Sequence, residues 1–274
     1  MHSRLSDIHK HTAGATIDAP AVTYFPDFLN LYELQHTPDF ITSCPMNQAD
    51  SAILMTPADI EWPKAVFITG IGTDVGKSYA TGWLAREINR NGGNAITQKF
   101  IQTGCREFSE DITVHRRIMG IEMQTVDLLH VTAPIIFSYP ASPDLASAID
   151  GRELDLGLAD RATGTLLETY SHVLIEGAGG VMVPLKGDYL TIDYIADRRL
   201  PAVVVTNGAL GSVSDTLLTL TAMKNAHIPI VALVYNPHFD KDKTIADDTR
   251  RYLRHWLGLH CPATAYIEMP GQEI

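Results

Sequence analysis

The sequence predicts an α/β protein with a doubly wound, mostly parallel sheet flanked by helices. Two observations predict it. From residue 65 onward, short apolar runs alternate with segments of helical periodicity, as expected where parallel strands are buried on both faces. The first of those runs ends in a glycine-rich loop that leads into a helix. With 274 residues, 45% of them apolar and 19% charged, the chain can bury a core, and wholesale disorder is excluded.

Residues 1–62 have a different texture. Eight acidic and two basic side chains give them a local charge of −6, and prolines at 20, 26, 38, 45 and 57 interrupt helix propagation. They are expected to form an acidic, Pro-rich, loosely held extension, with Val22–Phe25, Phe28 and Leu29 as an apolar patch able to dock. Met55 offers an alternative start, and His2, His9 and His11 read as a polar tail or, alternatively, a metal cluster. The α/β domain is expected over 63–274. Ala65–Thr69 is its first strand. Ala80, Trp83, Leu84 and Ile88 then mark a helix that Asn91-Gly92-Gly93 stops. Thr97–Gly104, His172–Ile175, Pro201–Thr206 and Ile230–Tyr235 read as further strands. Ile112, His115 and Ile118 mark a helix after Asp111. Leu217, Leu220 and Met223 mark another, and Ile245, Thr249, Tyr252 and Trp256 a last one.

A net charge of −11 argues against an extended nucleic-acid or anionic-membrane surface. No apolar run approaches a membrane span, and Met1–Arg4 begins no signal-peptide core. Cys44, Cys105 and Cys261 are too few and too scattered for a disulfide framework or a CxxC site. The expectation is a soluble, reduced, cytoplasmic protein with no nucleic-acid or membrane partner.

The most specific signal is Gly70-Ile71-Gly72-Thr73-Asp74-Val75-Gly76-Lys77-Ser78, between a predicted strand and a predicted helix. That is the context of a phosphate-binding P-loop. Its glycines let backbone N–H groups turn toward phosphate oxygens, and the helix start adds its positive end. Lys77 can bridge β- and γ-phosphates, and Ser78 can ligate Mg²⁺. Five residues rather than four separate Gly70 from Gly76. Gly72 stands where partition-type ATPases carry an extra lysine. Glu176, after the strand Val173–Ile175 and before Gly177-Ala178-Gly179-Gly180, is a carboxylate at a strand's ligand end. Lys99 either snorkels to solvent or meets an anion, and Asp111 either complements a helix dipole or binds metal.

Taken together, these motifs resemble dethiobiotin synthetase over about residues 64–270. The matching segments are the five-spaced P-loop, Lys99–Gly104, Ser109-Glu110-Asp111, Phe137–Pro143, and Glu176–Gly180 followed by Pro184-Leu185. Leu210-Gly211-Ser212 and Asn236 also match. The resemblance implies a P-loop NTPase-like fold and a homodimer. It implies an ATP- and Mg²⁺-dependent ligase of biotin biosynthesis that closes 7,8-diaminononanoate and CO₂ to dethiobiotin. By carry-over, Lys77 and Lys99 are catalytic, and Ser78, Asp111 and Glu176 hold Mg²⁺. Thr73, Lys99 and Thr103 contact substrate. The implied ATP set is Thr73, Asp74, Val75, Gly76, Lys77, Ser78, Tyr79, Asp111, Glu176, Gly177, Ala178, Gly179 and Asn236, with Pro237 and Glu268 at its margin.

Two departures stand out. Asp144 replaces the histidine of a Ser-Pro-His, and Ser214-Asp215 replaces an Asn-His. Either these acids oppose the substrate carboxylate, held in the family near a helix start of the partner subunit, or Asp215 simply caps its helix. The alternatives to a ligase are a P-loop switch ATPase, a degenerate nucleotide-binding paralogue and the amide-forming ligases of corrin synthesis. The last would need a glutaminase domain, for which the sequence has no motif.

Overall fold

A computed structural model describes residues 51–271. In chain order its elements are β1 (Leu54–Met55), β2 (Ala65–Gly70), α1 (Lys77–Arg90), β3 (Ala95–Lys99), β4 (Gln102–Thr103) and α2 (Glu110–Met119). Then come α3 (Thr125–Leu128), β5 (Ile136–Phe137), α4 (Pro143–Asp150), α5 (Leu156–Leu167), β6 (His172–Gly180), β7 (Pro184–Lys186) and β8 (Tyr189–Leu190). The chain continues through α6 (Thr191–Asp197), β9 (Ala202–Asn207), α7 (Ser212–Asn225), β10 (Ile230–Asn236), α8 (Lys243–His260) and β11 (Ala265–Glu268).

Seven strands form one parallel sheet in the order β1-β11-β10-β9-β2-β6-β3. The apolar runs explain its two buried faces. Along β2, Phe67 joins the core beneath α5, α6, α7 and α8, whereas Val66 and Ile68 join the core beneath α1 and α2. Val203 and Val204, like Leu233 and Val234, divide the same way. A strand whose alternate residues are all apolar can be covered on both sides, so helices occupy both sides of the sheet. This is the doubly wound α/β class expected from the sequence.

Several expectations need correction. The domain does not begin at residue 63. β1 pairs in parallel with β11, Ala52 N–H donates to Arg254 O at 2.8 Å, and Met55, Ile60 and Trp62 pack on the α1 side of the core. Apolar side chains between prolines found a sheet edge to join. Residues 1–50, with the apolar patch, the histidines and Cys44, lie outside the described residues. The expected strand 97–104 is broken. β3 ends at Lys99, and Gln102–Thr103 pairs instead with β5 in a separate two-stranded piece. β6 does not end at Glu176 but continues to Gly180, opposite Gly70, past a register shift.

On α8 the buried residues are Ala246, Thr249, Leu253 and Leu257. The stripe is therefore rotated from the predicted one, with Tyr252 and Ile245 at its rim. Leu253 and Leu257 fill the core more fully than the amphipathic Tyr252 would. Finally, Asp215 does not cap its helix. Gly211, at φ 97°, is the N-cap residue of α7, and Asp215 lies exposed in the first turn. Among the described residues no helix is long and apolar enough to cross a membrane. Cys105 and Cys261 are buried free thiols.

Candidate active site

The strands β2, β6 and β3 are neighbours, and their carboxyl ends floor an open cleft of about 800 Å³. Its walls are the P-loop, the first turn of α2, and the segment Pro140–Pro143. Open parallel sheets bind ligands at this end.

The P-loop conformation is built from unusual backbone. Asp74 has φ 59° and Gly76 φ 95°. A Cβ on Gly76 would lie 2.2 Å from Asn236 Nδ2, so only glycine fits there. Asn236 donates from that amide to Val75 O at 3.0 Å and accepts from His238 N–H at 3.1 Å. Its side chain thus braces the loop from behind. Lys77, the first residue of α1, folds back so that Nζ donates to Gly72 O at 2.7 Å. Burial lowers the Lys77 pKa, against the pull of the Glu176 carboxylate.

Register brings the next two groups together. Lys99, the last residue of β3, stands opposite Glu176 of β6. Parallel partners project to the same side of a sheet, and Lys99 Nζ lies 2.8 Å from Glu176 Oε1. Asp111 arrives from α2. Ser109 caps that helix, accepting from Ile112 N–H at 3.2 Å, which sets Asp111 in the first turn. Asp111 Oδ2 is 2.6 Å from Lys99 Nζ. Ser78 Oγ, from α1, is 2.9 Å from both Asp111 Oδ1 and Glu176 Oε1. Four side chains from four elements therefore meet within hydrogen-bonding distance.

The electrostatics follow. Glu176 is 1% exposed. Burial alone would raise its pKa, but the Lys99 ammonium and His115 hold it well below the usual carboxylate range. Burial would likewise lower the Lys99 pKa, and Glu176 and Asp111 instead hold it above its ordinary value. The two ions stabilise each other's charged forms.

The hydroxyl and two carboxylates are hard oxygen donors within reach of one another, and here the two carboxylates already hold a cation, the Lys99 ammonium. Mg²⁺ is usually held by one or two carboxylates plus substrate phosphates, so this donor set fits it. Among the described residues no group of three or more His, Cys, Asp or Glu side chains is placed to cage a metal.

Of the residues expected from the sequence, Thr73, Asp74, Gly76, Lys77, Ser78, Tyr79, Lys99, Thr103, Asp111, Glu176, Ala178 and Gly179 all line the cleft. Val75 is buried behind it. Gly177 does not line it, and its carbonyl lies 3.3 Å from Lys99 Nζ. Asn236, Pro237 and Glu268 lie outside it. Glu268 is paired with Arg250 at 3.2 Å, in a cluster with Asp240 and Tyr235. Asp144 does not line the cleft either. Its Oδ1 accepts from Gly187 N–H at 3.2 Å, which ties α4 to the β7–β8 turn. The sequence did not single out His115 as a polar group of the site. It occupies an apolar-stripe position of α2, and only its polarity there could have signalled it.

Known proteins can be set beside this geometry. Residues 64–264 match the model of a family described as an AAA domain. The ATP-dependent dethiobiotin synthetase BioD 2 of Pasteurella multocida is 41% identical over 206 residues, covering 75% of this chain and 97% of that protein. BioD 2 of Haemophilus influenzae is 44% identical over 179 residues, covering 65% and 94%. The BioD of Chlorobaculum tepidum is 45% identical over 186 residues, covering 68% and 78%. Similarity of this extent shows that the chain belongs to the ATP-dependent dethiobiotin synthetase family.

Proposed function

We propose that this chain closes 7,8-diaminononanoate and CO₂ to dethiobiotin, splitting ATP to ADP and phosphate, in biotin biosynthesis. The observation that carries the reading is the meeting of Lys99, Asp111, Glu176 and Ser78 beside a P-loop, in a chain whose relatives are named ATP-dependent dethiobiotin synthetases.

One amine takes up CO₂ as a carbamate. A carbamate oxygen attacks the γ-phosphorus, forming a mixed anhydride and releasing ADP. The second amine attacks the carbamic carbon, expels phosphate and closes the cyclic urea. Phosphoryl transfer of this kind needs alignment and charge neutralisation more than covalent help. Lys77 and Lys99 are the residues we assign to that neutralisation, Lys77 at the phosphates and Lys99 between the γ-phosphoryl group and the carbamate. Thr73 and Thr103 are assigned to substrate contacts, and Asn236, Pro237 and Glu268 to the nucleotide side. Ser78, Asp111 and Glu176 would hold Mg²⁺, which when bound offsets phosphate charge.

We assign the protein to the cytoplasm, as a homodimer. Leu210, 89% exposed in the loop before α7, and Leu218, 68% exposed on α7, are apolar side chains open to a partner. The identity of the relatives favours the ligase over a switch ATPase or a degenerate paralogue. Phosphate release from Mg²⁺·ATP and bicarbonate, with and without the diamine, tests the reading. Release that requires the diamine and is lost in Lys99→Ala is expected. Diamine-independent release, or none, would overturn it.

A further inference from the structure

His115 is a wholly buried polar side chain on the face that α2 turns toward the sheet, between Ile112 and Met119. Both ring nitrogens have partners. Nδ1 is 3.0 Å from Thr97 Oγ1, and Nε2 is 2.6 Å from Glu176 Oε2. Thr97 Oγ1 also accepts from Arg116 Nη1 at 2.8 Å. Arg116 is itself fixed by two bonds to Asp127, of 2.8 and 2.7 Å, and Asp127 accepts further from Thr132 Oγ1 and Gln124 N–H.

Donor and acceptor counting gives this chain a direction. A guanidinium only donates, and a hydroxyl has a single proton. Thr97 accepts from Arg116, so its own proton is free for His115 Nδ1. The imidazole then holds its proton on Nε2 and donates it to Glu176. This tautomer is assigned from its partners, and it satisfies every polar atom from Arg116 to Glu176.

The direction matters because of which oxygen is taken. Glu176 Oε1 is the atom facing Lys99 and Ser78 in the cleft, and His115 holds only Oε2. The terminal torsion of a glutamate is broad and roughly two-fold. With one oxygen tied from behind, the other has one direction left.

We infer that His115 is a positioning residue, whose Nε2–H bond to Glu176 Oε2 aims Oε1 at the magnesium–nucleotide. It rests on the functional reading of the cleft given above. Partners that orient a ligating carboxylate commonly change metal affinity by about 10–100-fold when removed.

The test uses the full chain with His115→Leu and His115→Gln. Leucine suits an apolar helix position, and the glutamine amide retains an N–H donor. Binding of ADP is titrated with and without Mn²⁺ as a spectroscopic probe, so no turnover is needed, and nitrogen-15 spectra report the imidazole tautomer of the unmutated protein. We expect His115→Leu to weaken Mn²⁺·ADP binding by at least about tenfold, with metal-free ADP binding unchanged. His115→Gln should recover most of the loss. Unaltered Mn²⁺·ADP binding in His115→Leu, an equal loss of metal-free ADP binding, no recovery in His115→Gln, or a proton on Nδ1 alone would each overturn the inference. Absence of Mn²⁺·ADP binding in the unmutated protein would instead strike the functional reading, and the inference would fall with it.

Discussion

Replacing Lys99 by methionine keeps much of the side-chain volume and removes the charge. At an effective dielectric of about 20, an ammonium 2.8 Å from Glu176 and 2.6 Å from Asp111 gains ~6 kcal/mol from each. Taking the ions out of water offsets several kcal/mol per ion. The net result of removing one partner is set by the carboxylates left behind. Glu176 remains buried, and Asp111, whose side chain is 24% exposed, relaxes only in part. Breaking such a cluster costs ~3–5 kcal/mol. At ~2–4 °C per kcal/mol for a chain of this size, Tm should fall by about 6–20 °C. Thermal unfolding at pH 7 without divalent cations measures it. Titrating Mg²⁺ then supplies an internal check. Two uncompensated carboxylates beside Ser78 accept a divalent cation more readily than the ion-paired set does, so Mg²⁺ should raise the Tm of Lys99→Met more than that of the unmutated protein. A fall below about 2 °C, or equal Mg²⁺ shifts in both proteins, would refute the reasoning.

Gly70→Ala should weaken ATP binding by on the order of 10–100-fold, because its Cβ would stand 2.5 Å from Val75 Cγ2, whereas Gly72→Ala faces open space and should leave affinity unchanged. Equal affinities by calorimetry would contradict this. The depressed pKa of Glu176 stabilises the fold above the ordinary value of 4.5, and that stability is lost as pH falls through the folded-state value. Urea unfolding of Glu176→Gln and the unmutated protein should therefore diverge at pH 7 and converge as the pH falls below 4.5; a constant gap would count against it. Asp215→His, at an exposed first-turn position of α7, should lower the diamine KM by about fivefold, the worth of ~1 kcal/mol for an exposed charge contact. An unchanged KM would leave Asp215 without a role toward substrate.

The architecture was legible in the sequence where one physical signal dominated. Strands buried on both faces announce themselves by composition alone, so β2, β9 and β10 lie within a residue of expectation. The phosphate loop was legible because glycine spacing, lysine and element order agree. The short edge strands were not, because two to four residues carry no periodicity, and β1 and β11 owe their strand form to each other and to β10. On α8 the amphipathic residues Tyr252 and Trp256 masked Leu253 and Leu257 one position on, with Thr249 common to the expected and the observed stripe. Within the site, Lys99 and Asp111 each left two readings open, since neither position alone reveals that β3 is in register with Glu176. His115 was hidden by periodicity itself, a polar residue at a core position whose partners come from β3 and β6.

The two-residue strand β1 has a consequence for solubility. Without it, β11 would end the sheet and present the unpaired N–H and C=O groups of Ala265–Glu268 along an apolar strand. Such an edge is a template for pairing with another chain, and very short edge strands and prolines are among the devices that blunt it. Leu54–Met55 covers half of that edge, and the chain then turns away at Pro57. Leu54 and Met55, which are not among the residues lining the cleft, thereby guard part of that sheet edge against pairing with another chain.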